Sequence, residues 1–264
     1  MMKTTQSTLL KMYESSEKFT VLTCYDALFA AILEDAGVDV LLVGDSMGNV
    51  LHGESTTLSV TLADMTYHTR CVARGSNKAF IMTDMPFGTF QMSPELAFKN
   101  ACKLIAAGAH MVKIEGGHIM AETISFLTQR GIPVCAHIGL TPQSIHQLGG
   151  YKLQGADTIT AKQLSQDAKI LEKAGSNMLL MEMVPAKLAK KITQSVSIPT
   201  IGIGAGADCS AQVLVLHDML GLYQGKKARF VKDFMADANN IQEAVTNYVL
   251  AVKAGQFPNQ EHEF

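Results

Sequence analysis

The strongest constraint on this chain is a repeated pattern. Short runs that are apolar throughout alternate with longer amphipathic stretches, from about residue 19 to residue 216. The strand-like runs are Phe19–Tyr25, Val38–Gly44, Ala79–Thr83, Met111–Glu115, Pro133–His137, Met178–Glu182, Thr200–Ile203 and Gln212–Leu216. A strand with one wet face alternates apolar and polar residues, whereas a parallel strand covered on both faces does not. The helix-like stretches between them are Ala27–Ala36, Leu62–Arg74, Pro94–Ala107, Met120–Gln129, Ala161–Ala174 and Ala186–Gln194. Several of these close on a glycine, among them Gly37, Gly75, Gly108, Gly131 and Gly175. Glycine supplies the left-handed conformation that ends a helix. Ser93-Pro94-Glu95 reads as a helix start, with an N-cap serine and proline at the first helical position. The gap after Ile203 is too short for an ordinary helix, and the segment from about Phe230 to Ala254 reads as extra helix packed outside the barrel or against a neighbour. Eight such units in 264 residues predict an α/β fold, a (β/α)8 TIM barrel as a single domain over 1–264 with C-terminal extra helices. The competing doubly wound sheet is disfavoured because no Gly-x-Gly-x-x-Gly opens the first helix.

The composition narrows the function classes. With 47% hydrophobic and 17% charged residues the chain is globular, and a net charge of −2 offers no basic face for nucleic acid. The short basic cluster at 225–229 reads as a solvated loop. Five cysteines, an odd number without a Cys-x-x-Cys pair, indicate neither a disulfide framework nor a zinc site, and read as reduced thiols. The N-terminus lacks the apolar core of a secretory signal, and no stretch approaches the ~18 apolar residues of a membrane span. A soluble, cytoplasmic protein is expected.

Three of the apolar runs finish at an acid: Asp45, Asp84 and Glu115. A carboxylate ending an apolar run is costly unless it reaches water, a cation or a metal. If the runs are barrel strands, all three acids meet at the C-terminal mouth, where barrel active sites lie. Three hard oxygen ligands there point to Mg²⁺. The alternative for each is a helix cap or an ion pair. Lys113 shares a strand face with Glu115, as a substrate-carboxylate or enolate partner or as a structural ion pair. Glu182 ends the sixth run, nearly opposite the second, and suits a general base; the alternative is a loop cap. His137, at the end of the fifth run, is a hydrogen-bond donor to substrate or a structural side chain. Ser46 stands ready to hold an anionic oxygen. Two long connections, Ser46–Thr61 and Gly139–Thr160, follow strands and so belong to the mouth, where long loops bind or cover substrate. Gly202, Gly204 and Gly206 after the seventh run either hold a phosphate or permit close backbone approach.

The chain resembles the ketopantoate hydroxymethyltransferase family in Thr23-Cys24-Tyr25-Asp26, Leu42-Val43-Gly44-Asp45-Ser46-Met47-Gly48, Met111-Val112-Lys113-Ile114-Glu115-Gly116-Gly117 and His137-Ile138-Gly139-Leu140-Thr141-Pro142-Gln143-Ser144. The likeness continues through Gly149-Gly150-Tyr151-Lys152-Leu153-Gln154-Gly155, Ile201-Gly202-Ile203-Gly204-Ala205-Gly206 and Leu216-His217-Asp218-Met219-Leu220-Gly221. The resemblance implies a barrel of the phosphoenolpyruvate mutase and isocitrate lyase group. It implies transfer of a hydroxymethyl group from 5,10-methylenetetrahydrofolate to 3-methyl-2-oxobutanoate, through a Mg-stabilised enolate, giving 2-dehydropantoate for pantothenate synthesis. Family metal ligands fall on Asp45, Asp84 and Glu115; ketoacid-binding residues on Asp45, Ser46, Asp84 and Lys113; the proton acceptor on Glu182. A homo-oligomer, a decamer, is implied as well.

Two rivals use the same features differently. A Mg²⁺-dependent C–C lyase or mutase of that group would carry a catalytic cysteine in a mouth loop, and neither long connection contains one. A non-catalytic binding barrel would not require acids at four strand ends.

Overall fold

The computed structural model describes residues 3–223, 225 and 227–264. Met1 and Met2 of the N-terminal segment, and Lys226 of the basic cluster, lie outside the described residues. The eight apolar runs form β1 (Phe19–Thr23), β2 (Val40–Val43), β3 (Phe80–Asp84), β4 (Met111–Glu115), β5 (Val134–Gly139), β6 (Met178–Glu182), β7 (Thr200–Ile203) and β8 (Ala211–Leu214). They pair in chain order, all parallel, and β8 closes on β1. The expected barrel is present.

Helices α2 (Ala27–Asp35), α4 (Leu62–Gly75), α5 (Pro94–Ala107), α6 (Ala121–Thr128), α8 (Thr158–Lys173) and α9 (Ala186–Thr193) cover its outside. Ser93 caps α5 through a hydrogen bond from the Leu96 N–H, and Gly108 ends it at φ 117°. One apolar cluster fills the space between sheet and helices, and a second fills the barrel.

Helix α1 (Gln6–Glu14) was not anticipated from the sequence. Thr5 and Thr8 cap it reciprocally. Its fully buried Leu9 belongs to the barrel-interior cluster with Phe19, Phe80 and Met111. Tyr13 Oη donates to Val196 O on the loop entering β7, which places α1 across the N-terminal end of the barrel. The helix acts as a stopper.

At the chain's other end, the helix expected over about 230–254 is shorter: α11 spans Ile241–Lys253. Asp233 Oδ1 accepts the N–H groups of Met235 and Ala236, a local turn that competes with helix, and Asn240 supplies the N-cap. Helix α11 packs outside the barrel on β1 and α2; the buried Tyr248 hydroxyl donates to the carbonyls of Val21 and Gln212. Beyond it the chain returns to the mouth, where the Ala186 N–H donates to Phe264 O at 2.9 Å.

The period of two along each strand positions the site. Met82 lies inside the barrel, so Asp84 faces the same way; Met111 orients Lys113 and Glu115, Cys135 orients His137, and Leu180 orients Glu182. Register aligns Asp84 with Lys113 and Glu115 with His137 across neighbouring strands. The apolar layers therefore end upward in a layer of charge.

Candidate active site

Asp45, Asp84, Lys113, Glu115 and His137 are each no more than 6% exposed, and Glu182 is 15% exposed at its side chain. All six, with Ser46, line one cavity of about 710 Å³ at the C-terminal mouth. Lys113 Nζ lies 3.1 Å from Asp84 Oδ1 and 3.7 Å from Glu115 Oε1. Neither carboxylate oxygen is aligned as a hydrogen-bond acceptor. The Asp45 N–H donates to Asp84 Oδ2 at 3.0 Å, which ties the turn after β2 to β3. Tyr25 Oη and Ser46 Oγ are 2.9 Å apart, so Tyr25 fixes the serine hydroxyl.

Burial raises the Asp45 and Asp84 carboxyls to about 6 and Glu115 to about 7. Burial works against the Lys113 ammonium too, but Asp84, Glu115 and Asp45 outweigh it and keep it charged. Burial and the nearby ammonium lower His137, leaving a neutral imidazole. Lys113 Nζ has only hydrogens to offer, so His137 Nδ1, 3.0 Å away, accepts. The ring hydrogen then sits on Nε2, which faces Glu182 Oε2 at 3.3 Å.

Three buried acids thus surround a single ammonium, and two negative charges stay uncompensated when all three ionise. A divalent cation is the natural complement of that imbalance. Among the described residues no three Asp, Glu, His or Cys side chains are spaced as a ready-made ligand cage. Mg²⁺ does not require one, since it usually keeps several waters and takes one or two carboxylates. The donor set fits such an ion.

Gln143 was not singled out from the sequence. It is 5% exposed; its Nε2 donates to Asp45 Oδ2 at 2.8 Å and Met85 O at 2.9 Å, and its N–H donates to Glu115 Oε2 at 2.9 Å. One residue of the β5 loop therefore holds two of the three acids. A neutral amide in a loop carries no periodicity and no charge, so its one signal is its place beside Pro142 in the family-like stretch His137–Ser144. The glycines after β7 serve close packing: a methyl group at Gly204 would stand 3.0 Å from Phe230 and 3.2 Å from Phe264, and one at Gly206 2.6 Å from Ala186.

The sequence matches the family model of ketopantoate hydroxymethyltransferase over residues 3–260. It is 67% identical to the 3-methyl-2-oxobutanoate hydroxymethyltransferase of Nitrosospira multiformis over 263 residues, the full length of both chains. The chain belongs to the ketopantoate hydroxymethyltransferase family. The Nitrosomonas europaea protein of the same name is 64% identical, covering 98% of this chain and 97% of that one. Membership makes the chain an enzyme, a transferase. Among solved structures, a 2,3-dimethylmalate lyase of the phosphoenolpyruvate mutase/isocitrate lyase superfamily aligns with TM-score 0.60 at 19% identity, over 81% of each chain. A phosphonopyruvate hydrolase in complex with oxalate and Mg²⁺ aligns with TM-score 0.63 at 14% identity, over 95% of this chain and 98% of that one. These likenesses establish the barrel type. No helix among the described residues is long and apolar enough to cross a membrane.

Proposed function

We propose that the chain transfers a hydroxymethyl group from 5,10-methylenetetrahydrofolate to 3-methyl-2-oxobutanoate, giving 2-dehydropantoate in pantothenate biosynthesis. The observation that carries this reading is the charge layout of the mouth. Buried acids crowd one ammonium on the β2–β4 side, and a separate glutamate lies beyond a neutral histidine on β6. Asp45, Asp84 and Glu115 would hold Mg²⁺, directly or through water. The metal bound there supplies Lewis acidity toward a ketoacid's oxygens, which makes the carbon beside the ketone acidic enough to lose a proton.

The chain's own residues do the rest. Lys113 offers a cation to the substrate carboxylate, and Ser46, fixed by Tyr25, offers its hydroxyl. Glu182 takes the proton from C3, its Oε2 standing 3.3 Å from His137 Nε2 without hydrogen-bond alignment. The resulting enolate carbon attacks the one-carbon unit of the folate. Both bonds from that carbon to the folate nitrogens break, the first as the carbon becomes electrophilic and the second as water supplies the hydroxyl, and two protons, one from C3 and one from water, end on those nitrogens. The buried floor excludes bulk solvent from the proton transfer.

The reading includes a cytoplasmic homodecamer, which sedimentation of the purified protein tests. The catalytic claim is tested by incubating the protein with both substrates and assaying 2-dehydropantoate, with and without a chelator. Turnover that survives full removal of divalent cations would sink the metal assignment.

A further inference from the structure

The cavity has two chemically different halves. The β2–β6 side carries the acids, Lys113 and His137. The β8 side is walled by Phe230 and Phe264, with Asp218, Tyr223, Lys227 and Arg229 around them. A volume of about 710 Å³ matches pockets that hold a drug-sized molecule, far more than a short-chain ketoacid fills. The two phenyl rings meet over Gly204, and the Phe264 carbonyl is held by the Ala186 N–H, so the wall is built from β7, the β8 loop and the end of the chain. Arg229 straps this end down, donating to the carbonyls of Gln260 and Glu261.

Asp218 is the one acid of this half, on the short helix α10 (Leu216–Met219) just after β8. It is half-buried, and among the described residues no donor meets its carboxylate. Burial alone raises its carboxyl to about 6. Lys227 and Arg229 line the same side but neither is within ion-pair distance of Asp218, and a half-buried carboxylate left without a donor is costly, a cost relieved by a ligand that presents N–H groups. That ligand is not the ketoacid, whose own carboxylate would be repelled here, away from Lys113. The 2-amino-4-oxopyrimidine edge of a reduced pteridine carries two parallel N–H donors without charge. Such an edge matches the two carboxylate oxygens, as a planar fork of donors does generally.

Resting on the proposed folate-dependent reaction, we infer that the β8 half of the mouth is the pteridine subsite. Asp218 receives the aminopyrimidinone edge, and Phe230 and Phe264 form the wall against which the ring lies. This arrangement leaves the one-carbon unit between the ring and the ketoacid half.

Two measurements test the subsite apart from the reaction. Asp218→Asn keeps the shape and removes one acceptor oxygen. Its dissociation constant for tetrahydrofolate should rise roughly tenfold to a hundredfold, the size of one lost bidentate pair. Solvent deuterium exchange at C3 of the ketoacid, which needs no folate, should proceed at the wild-type rate. Independently of any variant, a tetrahydrofolate analogue lacking the 2-amino group should bind the wild-type protein with a comparable loss, and Asp218→Asn should discriminate the two ligands little. Equal affinity of wild-type protein for the two ligands, or unchanged tetrahydrofolate affinity in Asp218→Asn, overturns the subsite and leaves the proposed reaction standing. C3 exchange without any folate-dependent product would instead overturn the reaction.

Discussion

Gln143→Leu tests how much of the acid cluster is held from outside it. The two side chains are similar in size, so packing changes little, but leucine offers no donor. Asp45 Oδ2 loses its 2.8 Å bond and Met85 O its 2.9 Å bond, both inside a region shut off from water. A buried acceptor left unpaired costs about 1–3 kcal/mol, more when charged, so the pair amounts to roughly 2–5 kcal/mol. The backbone N–H to Glu115 Oε2 remains, so the loop itself stays anchored. For a chain of this size each kcal/mol lowers the midpoint by about 2–4 °C, which gives a fall of roughly 4–20 °C. Losing a group that orients a ligand also weakens metal binding, on the order of 10–100-fold. Calorimetric unfolding without metal, and Mg²⁺ titration at a temperature where both proteins are folded, measure the two effects separately. A midpoint within ~1 °C of wild type, together with unchanged Mg²⁺ affinity, would show that Gln143 does not position Asp45.

Asp84→Ala should abolish Mg²⁺-dependent ketoacid binding, and near-normal affinity in calorimetry would remove Asp84 from the metal site. Glu182→Gln should retain ketoacid binding but stop deuterium uptake at C3; undiminished exchange by NMR would rule it out as the base. Glu34 gives a pH-dependent stability effect away from the site. Its Oε2 accepts from Ser76 Oγ and from the N–H groups of Asn77, Lys78 and Ala79, and although burial pushes its carboxyl up, these bonds hold it below the ordinary range. A lowered folded-state value means stabilisation present above the ordinary Glu pKa, near ~4.3, and lost as pH falls through the folded value. Glu34→Gln should therefore cost about 1–2 kcal/mol at neutral pH, with the gap to wild type closing in acid; a gap that stays constant with pH would contradict the charge argument.

The barrel was legible because its strands are covered on both faces and so read as uninterrupted apolar runs, β4, β6 and β7 to the residue. The acids were legible for the opposite reason: Asp84 and Glu115 break an apolar run at its last position, where only the mouth makes them affordable. Stopper helix α1 escaped notice because a nine-residue amphipathic turn before the first strand has no partner visible in sequence. The aromatic wall escaped too, since Phe230 and Phe264 meet only through the return of the chain end over Gly204. Gln143 combines both difficulties, a neutral side chain acting across 98 positions on Asp45.

With Leu9 corking the base, the described residues leave the barrel a vessel open at its C-terminal mouth. On the proposed reading both substrates enter by that mouth, the ketoacid to its acidic half and the heterocycle to the β8 half beside it, so each one bound narrows the path left to the other.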